Sequence, residues 1–233
     1  IISRNWAVPG LLSPQMASLD VGGSILGGLA SSRLERILVR EEKSAINVSA
    51  GYNPLHRAGI FSAQVYAKPG TDPQVVAARA DAIMAELIAK GPTADEVQRA
   101  VTAEVAGRIR ALEQVGGFGG KAVTLAEGQT YAANSDFYKR TLAAYAAVTP
   151  ASVRAAMQQW LTRPPLTITL SPGKREAYTE TKVAVSKAPK VDDTLAKPTR
   201  TLPTVGQLAA LQWPTIAHAR LSNGIAVDYA QRT

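Results

Sequence analysis

The chain has 233 residues, enough for one large domain or one domain with an appendage. Hydrophobic residues make up 46% and charged residues 19%, a globular balance that excludes wholesale disorder, and the apolar runs are too short and interrupted to cross a bilayer. The lack of cysteine excludes disulfides, thiolate metal sites and cysteine nucleophiles.

The net charge of +8 raises the question of an anionic partner. Lys and Arg are spread along the chain, however, without the clustering and aromatic interleaving of a nucleic-acid module, so neither nucleic acid nor membrane is expected as a partner. The opening IISRNWAVPGLL lacks an initiator Met and a basic region ahead of an apolar core. It reads as part of a longer chain, and the compartment stays unknown, with a periplasmic or secreted bacterial setting as one option.

The first 172 residues read as a strand, helices, a hairpin, four or five helices and a strand. Helices are expected over about 14–30 and 31–42, jointed at Gly27-Gly28, where two packed helices would pass close together. Ser31 and Ser32 read as caps of the second, because no histidine lies near them in sequence to activate a hydroxyl. In INVSAGY, Ile46, Val48, Ala50 and Tyr52 alternate with small or polar residues, and in IFSAQVYA so do Phe61, Ala63, Val65 and Ala67; NPLHRAG between them has hairpin composition.

Further helix starts are marked by Asp72-Pro73 and Thr149-Pro150, as the first is by Ser13-Pro14, and Thr93-Ala94-Asp95-Glu96 has capping-box spacing. Behind them, apolar residues recur at three and four: Val76, Ile83, Leu87 and Ile88; Val97, Val101, Val105, Ile109 and Leu112; Val153, Met157, Trp160 and Leu161. SDFYKRTLAAYAAV (135–148) fits another helix, and LTITLSP (166–172) a strand. The fold class is therefore α+β, a mainly antiparallel sheet with helices on one face.

Residues 174–214 change character, rich in Lys, Thr, Val and Pro without periodicity, and read as an extended linker. HARLSNGIAVDYAQ then offers Asn223-Gly224 between apolar runs, a hairpin signal. The expected organisation is a domain over 1–173, a linker over 174–214, and over 215–233 the first hairpin of a following domain.

Chemistry is sparse. A hydrolytic metal site needs converging ligands, but neither of the two histidines, His56 and His218, has a partner at helical spacing. GGSILGG and GGFGGKA lack the glycine order of phosphate loops. The acid pairs Glu41-Glu42, Asp95-Glu96 and Asp192-Asp193 are adjacent and so point apart on a helix.

Taken in order, LGGLASSRLERILVREEKSA, INVSAGYNPLHRAGIFSAQVYAKPGTD and LTITLSPGKR resemble the second domain of one module of the pitrilysin/insulinase-type zinc metallopeptidases, and WPTIAHARLSNGIAVDYAQ resembles the opening of the next module. The resemblance implies a two-module clamshell whose zinc sits on a His-x-x-Glu-His helix in a different domain. No such motif occurs here, so no cofactor is expected in this chain, zinc belongs to the parent enzyme, and the chain alone should be inactive.

The family's substrate-binding Arg and Tyr, seven apart, correspond to Arg40 and Asn47, a broken pair. That suits a domain of the zinc-bearing module and equally a degenerate copy; Arg40 otherwise salt-bridges or caps its helix. Larger members hold a peptide along a strand edge at positions matching Val48, Ala50 and Gly51, unless these are small because a helix packs there. The implied partners are a peptide or unfolded protein substrate and other domains of the same peptidase. The alternative is a zinc-less relative acting as a partner or assembly subunit.

Overall fold

The computed structural model describes residues 1–174, 206–207, 210 and 213–230. The chain divides into two units, Ile1–Glu176 and Ala177–Thr233. Most of the linker expected over 174–214 lies outside the described residues, as does Asp192-Asp193.

The first unit opens with strand β1 (Ile2–Pro9), followed by helix α1 (Met16–Gly23), which continues as a π-helical turn over Ser24–Gly28. A second π-helix spans Glu35–Glu41. Strands β2 (Ala45–Pro54) and β3 (Ala58–Ala67) form the hairpin. Five helices follow: α2 (Pro73–Lys90), α3 (Ala94–Ala111), α4 (Lys121–Ala132), α5 (Phe137–Ala146) and α6 (Pro150–Leu161), before strand β4 (Leu166–Thr169). The sheet order is β2-β3-β1-β4, antiparallel throughout. The expected α+β class is the one observed. No helix among the described residues is long and apolar enough to cross a membrane.

Alternation sets the sheet's two faces. Ile2, Trp6 and Val8 of β1, Val48 and Tyr52 of β2, and Phe61, Ala63 and Val65 of β3 are buried on one face against the helices. Trp6 pairs with Phe61 across the strands, their rings edge to face at 6.1 Å, and donates its indole N–H to the Arg163 carbonyl at 2.9 Å. The helical side contributes Leu19, Leu26, Leu34, Leu38, Ile83, Leu87, Val153 and Met157, all essentially inaccessible.

Local signals decide most helix starts. Asp72 accepts from the Gln74 amide at 2.8 Å, Thr93 and Glu96 close a capping box, and so do Thr149 and Ser152. Ser13 accepts from the Gln15 amide at 3.2 Å, but α1 itself begins only at Met16.

Several expectations need correction. The first helix does not reach residue 30, because Leu29 is extended, and the second does not start at 31. Ser32 does not cap it through its side chain: the hydroxyl is buried without a hydrogen-bond partner, and the Ser32 carbonyl accepts from Arg36 instead. Ile46 does not share the buried face of Val48. A register shift between Ala45 and Asn47 turns it outward, 60% exposed, and puts Ala45 in the core. Ile109 is half exposed because the last turns of α3 run beyond the core.

In the second unit, β5 (Ile216–Arg220) pairs antiparallel with β6 (Ala226–Ala230). The turn is a three-residue loop: the Gly224 amide donates to the Leu221 carbonyl, and Gly224, at φ +86°, supplies the left-handed residue.

Candidate functional site

The sequence places its candidate binding residues on β2, and β2 is an edge strand, with β3 as its only hydrogen-bonded neighbour among the described residues. An edge offers unpaired backbone groups to an added strand. On its outward face stand Asn47, Ser49 and Asn53, all exposed, with Gly51 between them. A Cβ at Gly51 would meet nothing within 4 Å. Val48 is buried and anchors the strand to the core, while Ala50 is half buried.

Behind Ala50 and Gly51 lies the glycine-rich end of α1. A Cβ on Gly23 would fall 2.8 Å from the Gly51 Cα, and one on Gly27 would fall 2.6 Å from the Ala50 amide nitrogen. The glycines at i and i+4 therefore let a helix approach a strand, not a second helix. That corrects the expected role of Gly27 as a helix–helix joint. The π-helical widening begins at Ser24, between these two contacts.

Arg40 lies on a different element from this edge. It is largely exposed on the second π-helix, donates to Glu35 at 3.4 Å, and makes no hydrogen bond to β2. The acid pairs diverge as adjacent residues on a helix should: Glu41 pairs with Arg36, Glu42 with Arg79, Asp95 with Arg99 and Glu96 with Arg33.

A second polar assembly, not foreseen from the sequence, joins α1, α3 and α5. Tyr145, fully buried, donates to the Asp20 carboxylate, and Arg108 donates to the Tyr145 hydroxyl at 2.5 Å. The Arg108 guanidinium lies 4.5 Å above the Tyr145 ring. Ser24 donates to Glu104 at 3.0 Å. Burial pushes the Asp20 carboxyl up from its ordinary value, against the pull of Tyr145 and Arg108. Burial also raises Glu104, with Asp20 adding to it, and Tyr145. Asp20 and Tyr145 are 125 residues apart, so no spacing rule could have linked them.

Neither place carries a metal centre. Among the described residues, no group of three or more His, Asp or Glu side chains converges as ion ligands. His56 lies against the Tyr131 ring at 5.2 Å, and His218 pairs with Asp228 across β5 and β6 at 2.7 Å. Among the described residues, neither histidine has the converging ligands that a catalytic zinc needs.

Residues 2–104 match the family model described as Peptidase M16 inactive domain. Residues 2–104 thus belong to the M16, or pitrilysin/insulinase-type, peptidase family. The model they match is of the inactive-domain type.

Solved structures share the M16 fold. One is described as the inactive peptidase domain of a zinc protease from Bordetella parapertussis, 20% identical, TM-score 0.64, covering 77% of this chain and 94% of that one. A protein described as a zinc protease from Bordetella pertussis Tohama I is 21% identical, TM-score 0.62, covering 74% and 93%. A protease from Helicobacter pylori is 16% identical, TM-score 0.61, covering 69% of this chain and 38% of that one. The chain thus spans little more than a third of the Helicobacter protein. No curated protein matches the chain by sequence.

Proposed function

We propose that this M16 domain forms part of the wall of a peptidase chamber and holds extended peptides along the β2 edge, in a parent enzyme whose zinc is bound by residues outside this chain. The observation that carries the reading is the free edge of β2 at Val48, Ala50 and Gly51, with an outward face of small and polar side chains. A peptide added there gains backbone hydrogen bonds with little dependence on its sequence, which suits an unfolded protein or peptide substrate. Arg40, exposed on the second π-helix and paired with Glu35 only at 3.4 Å, stays a further candidate contact for that peptide.

Hydrogen exchange on the full chain tests the proposal. An unstructured peptide should slow exchange of the amides of residues 48–52. Gly51→Trp, which adds bulk where a Cβ meets open space, should remove that protection at unchanged melting temperature. Equal protection in both proteins would sink the edge-binding role.

The alternative reading, a zinc-less partner or assembly subunit, draws support from the opposite edge of the sheet. Leu166, Ile168 and Leu170 expose half or more of their surface along and beyond β4, with Ile1 beside them, and an exposed apolar strip marks a surface that docks against protein. The two readings part on the adjoining domain: an intact His-x-x-Glu-His there belongs to a peptidase, and its loss to an assembly subunit.

A further inference from the structure

A cleft of about 570 Å3 lies between the tip of the β2–β3 hairpin, the end of α3, the glycine-rich turn before α4, and helices α4 and α5. It goes beyond the β2-edge reading, because its lining comes mainly from the helices. The walls are mixed: Leu11, Met16, Leu112, Val123, Phe137 and Leu142 form the larger, apolar part, with polar side chains such as Asn53 and Thr141 among them. A volume of this order encloses a small organic ligand.

Two charged side chains of opposite sign border the same hollow, Arg108 and Glu127. Arg108 is held from behind: its Nη2 donates to Tyr145 and to Asp20, and its plane rests on the Tyr145 ring. Among the described residues its Nε and Nη1 have no hydrogen-bond partner, and the side chain is 43% exposed. Glu127 stands exposed on α4 without an ion-pair partner among the described residues. A fixed fork of donors is a carboxylate receptor, and a free carboxylate receives an ammonium group. A mainly apolar hollow with one of each complements a ligand that has both terminal charges and an apolar body.

We propose that this cleft binds short apolar peptides with free termini, their carboxylate on Arg108, their ammonium on Glu127 and their side chains against Met16, Phe137 and Leu142. Di- and tripeptides of this kind are what proteolysis releases. The cleft therefore accepts a product class where β2 accepts an extended chain.

Calorimetric titration of the full chain with the dipeptide Leu-Phe tests this. Leu-Phe should bind, and its C-terminal amide and its N-acetyl form should each bind about tenfold more weakly, as expected for loss of a charge-assisted hydrogen bond. Glu127→Gln, an exposed substitution that leaves folding intact, should abolish the difference between Leu-Phe and N-acetyl-Leu-Phe. Gly51→Trp should leave Leu-Phe binding unchanged, which separates the cleft from the β2 edge. The proposal is overturned if Leu-Phe fails to bind, if free and blocked forms bind equally, if Glu127→Gln preserves the discrimination, or if Gly51→Trp removes binding.

Discussion

Arg33 and Glu96 form a two-pronged ion pair, Nε to Oε1 at 2.8 Å and Nη2 to Oε2 at 2.9 Å, with both side chains more than four-fifths buried. The pair ties the segment after α1 to the first turn of α3. Glu96 also accepts from the Thr93 amide at 2.8 Å, so one carboxylate closes a capping box and a long-range bridge together.

Glu96→Gln therefore removes the charge that matches Arg33 while leaving that cation part-buried. The expected loss is about 2 kcal/mol, below the full cost of breaking a buried pair because the site is partly solvated. A urea titration measures it; a variant within experimental error of the parent would show that Arg33 finds another partner.

The same carboxylate governs acid stability. Arg33, ahead of the Thr93 amide, holds the Glu96 carboxyl at about 2 against an ordinary 4.5. The folded value lies below the unfolded one, so this contribution is fully present above pH 4.5 and fades as pH falls toward 2. Stability of the parent should drop over that window, and Glu96→Gln should flatten the drop, read from denaturation midpoints across acid pH.

Asp20 has the opposite sign. Burial raises its carboxyl above 3.8, so the unfolded chain ionises before the native one and stability falls as pH rises from 3.8 through the folded value. Asp20→Asn keeps an oxygen to accept from Tyr145 and removes the ionisation. It should lessen the loss of stability as pH rises above 3.8, whereas Tyr145→Phe, which strips the buried carboxyl group of a donor, should cost about 2 kcal/mol. An unchanged pH slope in Asp20→Asn would refute the assignment.

What could be read from the sequence was local. Asp72, Thr93 and Thr149 cap helices through partners two or three residues on, and Phe61, Ala63 and Val65 alternate because β3 is buried on one face. What could not be read depends on tertiary contact. The bulge that exposes Ile46 and the π-helical turns arise where the chain packs around β2, the Ser32 hydroxyl is orphaned only on burial, and Arg108, Tyr145 and Asp20 meet only once three helices are in place. The candidate edge at Val48, Ala50 and Gly51 came from the family pattern, and the charges of the cleft had no sequence signal at all.

Gly27 and Gly51 should respond differently to the same added methyl. At Gly27 the Cβ would fall 2.6 Å from the Ala50 nitrogen and 2.9 Å from the Ser49 carbonyl carbon, backbone atoms that cannot swing aside. Gly27→Ala must then push α1 off β2, an overpacking cost of about 1–3 kcal/mol. At Gly51 the methyl enters open space on the outward face, so Gly51→Ala should stay within about 0.5 kcal/mol of the parent. Thermal melts of the two variants decide it. If they were equally destabilised, small size at both positions would reflect helix packing alone; a loss confined to Gly27 leaves the open space over Gly51 free for the incoming peptide.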